Sequence, residues 1–252
     1  MLLEARGVTM AFGAFTAVAE VDLDVDAGEI IGLIGPNGAG KSTFFNCLAG
    51  DYAPSGGSIR FDGADVTRAP PERHARLGIG RTYQVPATFE DMTVLENVMV
   101  GAFLRHPHRA EARDAALAVI ELTEMQDQRN VRARTLGTPG RKRLEIARAL
   151  ATQPRLLLLD EALAGLTPVE IQRAMALVRK IHETGVTLVI VEHIMEVILT
   201  LAQRVLVFNQ GRVIAQGRPE DVVRDEQVIE AYLGRRRAHR GARQAGHQGT
   251  PP

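Results

Sequence analysis

The order of apolar and polar residues predicts that the first third of the chain is mostly strand. Runs rich in strand-forming residues lie at 2–8 and 21–25, and a third run at 29–34 leads into a glycine-rich segment. A helix is predicted over 42–48, and a hairpin strand over 58–61. Because the connections between the early strands are too short for crossover helices, we expect these strands to pair antiparallel.

The middle of the chain, from about 87 to 151, is predicted to be a helical subdomain. Thr93 and Glu96 have the spacing of a capping box at a helix start. Longer helical patterns cover 110–125 and 141–152. The predicted apolar stripe of the first of these consists of Ala115, Val119, Leu122 and Met125.

The last third alternates between strand and helix. Continuous apolar runs at 156–159, 186–191 and 205–208 are typical of strands buried on both faces of a sheet. Helices are predicted between them at 168–182 and 193–201. The predicted fold class is therefore α/β, with a mixed sheet core, antiparallel N-terminal strands and an inserted helical subdomain.

Composition and charge narrow the class of protein. The chain has 252 residues with 30 basic and 30 acidic side chains, so we expect no nucleic-acid partner. No apolar run is long enough for a transmembrane helix. A single cysteine, Cys47, fits a reducing compartment. Residues 235–252 are rich in Arg, Gly and Gln, and we expect a disordered basic tail that is either solvated or bound to anionic lipid.

A phosphate-binding loop is the strongest chemical signal. The pattern G-x-x-x-x-G-K-S places backbone N–H groups and one lysine around phosphate oxygens, with a serine hydroxyl for Mg²⁺. It is matched by Gly35, Pro36, Asn37, Gly38, Ala39, Gly40, Lys41 and Ser42. The alternative is a glycine-rich turn that is followed by lysine by chance. The chain has only three lysines, and this one lies between a predicted strand and a predicted helix, which favours an ATP site.

An acid pair follows the apolar run at 156–159. Asp160 and Glu161 would lie at the carboxyl edge of the sheet, where open α/β folds bind ligands. Asp160 would hold Mg²⁺, and Glu161 would orient or deprotonate the attacking water. An acid pair alone is more often a solvated strand end, but the phosphate loop in the same chain favours the functional interpretation.

Three further residues are candidates on position alone. His193 follows the strand at 186–191 and could contact the γ-phosphate or the attacking water, although a histidine at a helix start often has no role. Gln84 could reach the metal or the water, with no preference from chemistry alone. Phe12 could stack on adenine or pack in the core.

Together these residues resemble those of the ATP-binding cassette (ABC) ATPases, over residues 1–234. The resemblance assigns Phe12 to adenine stacking, Gly35–Thr43 to the phosphate loop, Gln84 to the coupling loop, and His193 to the switch. The stretches IGLIGPNGAGKST, GIGRTYQ, MTVLENVMVGA, RLEIARALATQPRLLLLDE and VIEAYLG are similar to those of ATPase subunits of branched-chain amino acid importers.

The resemblance implies a set of ligands and partners. They are ATP and Mg²⁺, a second ABC ATPase subunit, membrane permease subunits and, indirectly, a periplasmic substrate-binding protein. It implies a cytoplasmic position on the inner face of the membrane through the permease. Two alternatives stay open: an ABC ATPase of DNA repair or translation, and a regulatory ATP-binding subunit with weak hydrolysis.

One departure from the family concerns the signature, usually Leu-Ser-Gly-Gly-Gln. Here the sequence is Leu136, Gly137, Thr138, Pro139 and Gly140. The serine hydroxyl and one N–H donor are absent. Because a signature closes over the partner's ATP, we expect an impaired partner site in a heterodimer. In the alternative, Thr138, the N–H groups of the helix start and Arg141 or Lys142 restore the contacts, and a homodimer is possible.

Overall fold

The computed structural model describes residues 1–233 and contains two β-sheets. The strands in chain order are β1 (Leu3–Phe12), β2 (Phe15–Val25), β3 (Ile30–Ile34), β4 (Gly56–Phe61), β5 (Ala64–Asp65), β6 (Ile79–Arg81), β7 (Leu156–Asp160), β8 (Thr187–Val191), β9 (Arg204–Asn209) and β10 (Arg212–Gly217). The smaller sheet is antiparallel with the order β2-β1-β4-β5, as the short early connections predict.

The larger sheet has the order β10-β9-β3-β8-β7-β6 and is parallel except for the β9–β10 hairpin. Its central strand β3 pairs with β8 on one side and with β9 on the other. Strands β3, β7 and β8 are buried at every position. The predicted α/β class with a mixed sheet is confirmed.

Helices surround the larger sheet. They are α1 (Lys41–Ala49), α2 (Pro71–Leu77), α3 (Val94–Ala102), α4 (Arg109–Leu122), α5 (Thr138–Leu150), α6 (Pro168–Glu183), α7 (Met195–Leu201), α8 (Pro219–Val222) and α9 (Glu226–Leu233). Short 3-10 turns lie at Gln126–Gln128 and Ala133–Thr135. Within residues 1–233, no helix is long and apolar enough to cross a bilayer.

Apolar side chains form several separate cores, two of which include residues of helix α5. One cluster lies between the two sheets and α1 and includes Phe44 and Phe208. A second, on the other face of the large sheet, joins Ile146 of α5 to the strands and to α6. A third is confined to helices α3 to α5 and their connections, and Leu144 belongs to it. Helix α5 therefore packs into the sheet core with one face and into the helical region with the other.

The predicted stripe on α4 is half-buried and packs against the cores through Ala115, Val119 and Leu122, but the fully buried row of the helix lies beside it. The buried residues of the helix are Ala112, Ala116 and Ile120, a strict i, i+4, i+8 row. The helix ends at Leu122, and Met125 is buried beyond that end. Alanine carries little weight in an apolar pattern, yet its small side chain lets α3 and α4 approach closely.

Two helix starts also differ from the prediction. Helix α7 begins at Met195, so His193 lies in the preceding bend and not in the helix. Helix α5 begins at Thr138, three residues before the predicted start, because Pro139 lies in its first turn, where proline is tolerated. Helix α2 and strand β10 were not predicted. The predicted tail at 235–252 lies outside the residues that the structure describes.

Candidate nucleotide site

The phosphate loop joins β3 to α1 and requires glycine at two positions. Gly35 has φ 147° and Gly40 has φ 100°, where other residues are strained. A Cβ atom on Gly35 would lie 2.2 Å from the carbonyl oxygen of Phe208, and one on Gly40 would lie 2.4 Å from that of Ala17. Neighbouring strands therefore press directly against the loop backbone and fix its path.

Lys41, the first residue of α1, lies across this loop. Its Nζ donates to the carbonyl oxygens of Gly35 at 2.7 Å and Pro36 at 3.0 Å. Burial lowers the pKa of Lys41, and the nearby charges of Glu161 and Asp160 oppose that shift. An ammonium group has three donors, so one remains for a phosphate oxygen.

The remaining loop residues form a turn that opens onto the start of α1. Asn37 and Gly38 are exposed, whereas Ala39 is buried and its N–H donates to the Pro36 carbonyl oxygen at 3.2 Å. Ser42 is exposed and Thr43 is half-buried in the first turn of the helix. The N–H groups of a helix start and its dipole favour an anion, which fits a phosphate here.

Asp160 ends strand β7 beside the loop and is 6% exposed. Its N–H donates to Thr82 Oγ1 at 3.1 Å, and Arg81 Nη2 lies 3.7 Å from its carboxylate. Burial raises the pKa of Asp160, and the positive charges of Arg81 and Lys41 oppose that rise. The carboxylate thus lies beside the Arg81 guanidinium at the sheet edge.

Arg81 is a site residue that the sequence did not single out. Its guanidinium donates to Asn46 Oδ1 at 3.0 Å and contacts the Asp51 carboxylate, both near the end of the phosphate-loop helix. It also lies 4.3 Å from the centre of the Tyr83 ring. Arg81 therefore connects α1 and Tyr83, the residue before Gln84, to Asp160. The only available signal was its place in the stretch GIGRTYQ.

Glu161 and Gln84 lie in contact. Gln84 Nε2 donates to Glu161 Oε2 at 2.8 Å, which joins residues far apart in the chain. Glu161 has a left-handed backbone with φ 46°. The Glu161 N–H donates to the Val191 carbonyl oxygen at 2.9 Å. The Glu161 carbonyl oxygen accepts from Lys142 Nζ, also at 2.9 Å.

His193 lies at the same edge, in the exposed bend after β8. The preceding Glu192 is 1% exposed and was missed by sequence reasoning. Its Oε1 accepts from the Leu163 N–H at 2.9 Å, while its Oε2 has no partner among the described residues. Burial raises the pKa of Glu192, and the nearby charges of His193 and Lys142 oppose that rise.

Phe12 ends strand β1 and lies outside the core. It is 47% exposed and makes an edge-to-face contact with Tyr52, with 5.6 Å between ring centres. The core-packing alternative is therefore wrong, and about half of the side chain is open to solvent. Its role toward adenine stays a prediction.

The altered signature forms the start of α5. Leu136 is buried, Gly137 is the N-cap and makes no side-chain capping bond, and Thr138 is exposed. Pro139 and Gly140 occupy the first turn, where N–H groups are free in other helices. The proline therefore removes a donor from the very turn that would face a partner's phosphate.

The two cations that follow the signature are engaged within the chain. Arg141 donates to the carbonyl oxygens of Leu136 at 3.1 Å and Arg134 at 2.9 Å. Lys142 donates to the Glu161 carbonyl oxygen. The Lys142 ammonium keeps two further donors, so contact of these side chains with a partner's phosphate stays a prediction.

The donor set fits Mg²⁺ that is shared with a nucleotide. Asp160 offers a carboxylate, Ser42 a hydroxyl, and Gln84 an amide oxygen, since its amide nitrogen is used by Glu161. Among residues 1–233, no group of three or more His, Cys, Asp or Glu could hold a metal ion by itself. Mg²⁺ commonly takes one or two carboxylates, and substrate phosphates complete its shell.

Protein families and individual proteins that are already known are similar to this chain. Residues 18–164 match the family model "ABC transporter", and residues 212–238 match "Branched-chain amino acid ATP-binding cassette transporter". The chain is 40% identical over 249 residues to the high-affinity branched-chain amino acid transport ATP-binding protein BraF of Pseudomonas aeruginosa, covering 92% of this chain and 98% of that protein. It is 39% identical to LivG of Escherichia coli, with the same coverage.

Solved structures share the fold. A nucleotide-free ATP-binding cassette from an ABC transporter superposes with a TM-score of 0.85 at 29% identity, covering 92% of this chain and 99% of that one. The ADP conformation of the cassette MJ1267 superposes with a TM-score of 0.84 at 29% identity, covering 92% and 98%. A dimeric post-hydrolysis cassette with ADP and phosphate gives 0.78 at 25% identity, covering 86% and 99%.

Proposed function

This chain belongs to the ABC transporter family of ATP-binding proteins, and on that basis we propose that it hydrolyses ATP to power an importer of branched-chain or related amino acids. The observation that carries the proposal is the convergence of Lys41, Asp160, Glu161 and Gln84 at one sheet edge. The likeness of residues 212–238 to the importer-specific family model supports the choice of solute class. Residues 1–234 would form the ATPase domain, with 87–151 as its helical subdomain.

ATP binding would begin with its phosphates at the loop between β3 and α1. The free donor of Lys41 and the N–H groups of the α1 start would contact phosphate oxygens. Phe12 would stack on the adenine ring. Ser42, Asp160 and Gln84 would hold Mg²⁺, which when bound neutralises charge on the β- and γ-phosphates.

Hydrolysis would use the carboxylate of Glu161 as general base. The oxygen of a water attacks the γ-phosphorus in line, its proton passes to Glu161, and the bond to the β-phosphate oxygen breaks to release ADP and phosphate. Gln84 fixes the carboxylate through its 2.8 Å contact. His193, exposed at the same edge, would contact the γ-phosphate.

A second ATPase subunit would complete each nucleotide site. The similarity to a dimeric cassette supports a dimer. We propose a heterodimer, because the first turn of α5 lacks the serine and one N–H donor. The site completed by this signature would be the weak one, whereas the site built from Lys41 and Glu161 would be competent.

The permease would dock in the groove between the sheet core and the helical region. This groove has a volume of about 510 Å³, and its lining includes Tyr83, Val100 and Arg148. Exposed Phe89 and Val100 supply apolar contact area beside the coupling loop that carries Gln84. A permease segment bound in this groove would hold the chain at the inner face of the membrane. A periplasmic substrate-binding protein would bind the permease at the outer face of the membrane.

Reconstitution tests this function. The full chain would be assembled with the permease, the second ATPase and the binding protein in liposomes, and ATP turnover would be measured with and without leucine. We expect leucine to stimulate turnover. Stimulation by urea or an aromatic acid alone would change the solute class. An absence of assembly with any permease would favour an ABC ATPase of DNA repair or translation, and assembly without turnover would favour a regulatory subunit.

A further inference from the structure

Two charged side chains of helix α5 contact the sheet edge that carries Glu161 and Gln84 in the same subunit. Lys142 and Glu145 lie three residues apart on the helix, on one face, one turn beyond the altered signature. Their contacts reach the two residues that would handle the attacking water.

Lys142 holds the backbone under Glu161. Its Nζ donates to the Glu161 carbonyl oxygen at 2.9 Å, and the Ala164 N–H donates to the same oxygen at 3.2 Å. The left-handed φ of 46° costs a non-glycine residue on the order of 1 kcal/mol, so neighbouring contacts must maintain it. The half-buried Lys142 is therefore one of the few groups that keep this peptide in its strained orientation.

Glu145 holds the loop that carries Gln84. Glu145 is 3% exposed, and its carboxylate accepts from the Tyr83 N–H at 3.0 Å. Arg148, one turn further along α5, donates to the Ala87 carbonyl oxygen at 2.5 Å. Gln84 lies within the segment that these contacts fasten to the helix.

We propose that Lys142 and Glu145 are positioning residues for ATP hydrolysis, which together set the contact between Glu161 and Gln84. The inference rests on the proposed function and deepens it. Lys142 fixes the backbone from which the Glu161 side chain extends. Glu145 fixes the backbone beside Gln84.

Variants of α5 test this in the assembled transporter. Lys142→Met removes the donor, Lys142→Arg keeps one, and Glu145→Gln removes one of the two carboxylate acceptors. Arg143→Met, at the neighbouring position, is the matched control for loss of a cation. Steady-state turnover gives kcat and KM, and a fluorescent ATP analogue gives the Kd for nucleotide.

We expect Lys142→Met and Glu145→Gln to lower kcat about 10-fold or more with Kd unchanged, since small displacements of catalytic groups have large rate effects. Lys142→Arg should recover most of the rate, and Arg143→Met should match the wild type. Wild-type turnover in Lys142→Met overturns the positioning role. A parallel loss of nucleotide affinity and thermal stability that Lys142→Arg does not rescue overturns it as well. An assembled wild-type complex without ATP turnover overturns the proposed function instead.

Discussion

The amide nitrogen of Gln84 lies 2.8 Å from a carboxylate oxygen of Glu161. This contact joins the coupling loop to the end of the strand that carries Asp160. A carboxylate held by an amide donor points in one direction, which is the requirement for a base that must meet a water beside the γ-phosphate. The contact also means that any movement of the coupling loop changes the environment of the base.

Replacement of the base should separate binding from turnover. Glu161→Gln keeps the size of the side chain but removes its proton-accepting charge, so we expect kcat to fall by at least about 100-fold. The Kd for ATP should stay near the wild-type value, because Lys41 and the loop are untouched. Glu183→Gln, an exposed glutamate at the end of α6, is the matched control. Unchanged hydrolysis in Glu161→Gln would remove this residue from the role of base.

Replacement of Gly40 by alanine should block ATP binding at the phosphate loop. Its Cβ would meet the Ala17 carbonyl oxygen at 2.4 Å, in addition to the backbone strain at φ 100°. We expect Gly40→Ala to abolish detectable ATP binding in a titration with a fluorescent analogue. Gly28→Ala is the control, because Gly28 has φ 78° but no atom within 4 Å of an added Cβ. If both variants bind ATP equally well, the close approach of Ala17 does not shape the site.

The exposed ring at the end of β1 should contribute to nucleotide affinity. Stacking of a base on an aromatic side chain is worth about 1–3 kcal/mol, so Phe12→Ala should raise the Kd for ATP about tenfold. Phe15→Ala is the control, since Phe15 is 65% exposed and pairs with Phe12 across the β1–β2 hairpin. Equal Kd values for the two variants would place adenine elsewhere.

Repair of the signature should increase hydrolysis by the chain alone. The triple variant Gly137→Ser, Pro139→Gly and Gly140→Gln restores the hydroxyl, the backbone donor and the glutamine. A lost transition-state donor costs on the order of 100-fold or more in rate, so we expect at least a 10-fold increase in turnover of the purified protein. Full cooperative hydrolysis by the unmodified chain as a homodimer would contradict the heterodimer proposal.

The buried His74 should make stability depend on pH. Its ring is 1% exposed and packs against Gly50, and its Nδ1 lies 3.2 Å from the Pro70 carbonyl oxygen. Burial lowers the pKa of His74, and the charge of Arg73 adds to that shift. The folded state therefore binds this proton less readily than the unfolded state, whose histidine pKa is about 6.5. Stability from this group is present above that value and is lost as the pH falls through it.

Denaturant unfolding at pH 7.5 and pH 5.5 checks the effect of His74. His74→Gln stays neutral and can still donate to Pro70, so its free energy of unfolding should fall less than that of the wild type on acidification. His108→Gln, at an exposed position before α4, should behave like the wild type. An identical acid response in wild type and His74→Gln would show that the buried ring is not the group responsible.

The sequence predicted the parts of the site that are local in the chain. Gly35, Gly40 and Lys41 lie within a few residues of one another, and Asp160 follows from the end of one apolar strand. Parallel pairing of β7 and β8 then brings Glu161 and His193 to the same edge.

The missed residues depend on neighbours that are distant in the chain. Arg81 acts through Asn46 and Asp160, and Glu145 acts through Tyr83, and no spacing rule links such pairs. The fully buried row on α4 was missed for a different reason, because alanine is weakly apolar in a pattern and yet fills a closely packed helix interface.

The position of α5 between two cores has a consequence for unfolding. Leu144 and Ala147 pack in the helical region, while Ile146 and Leu150, from the opposite side of the same helix, pack in the sheet core. Loss of the helical region would unravel α5 and open the sheet core beside it. The two regions should therefore melt in one cooperative transition. One shared helix makes the chain a single thermodynamic unit.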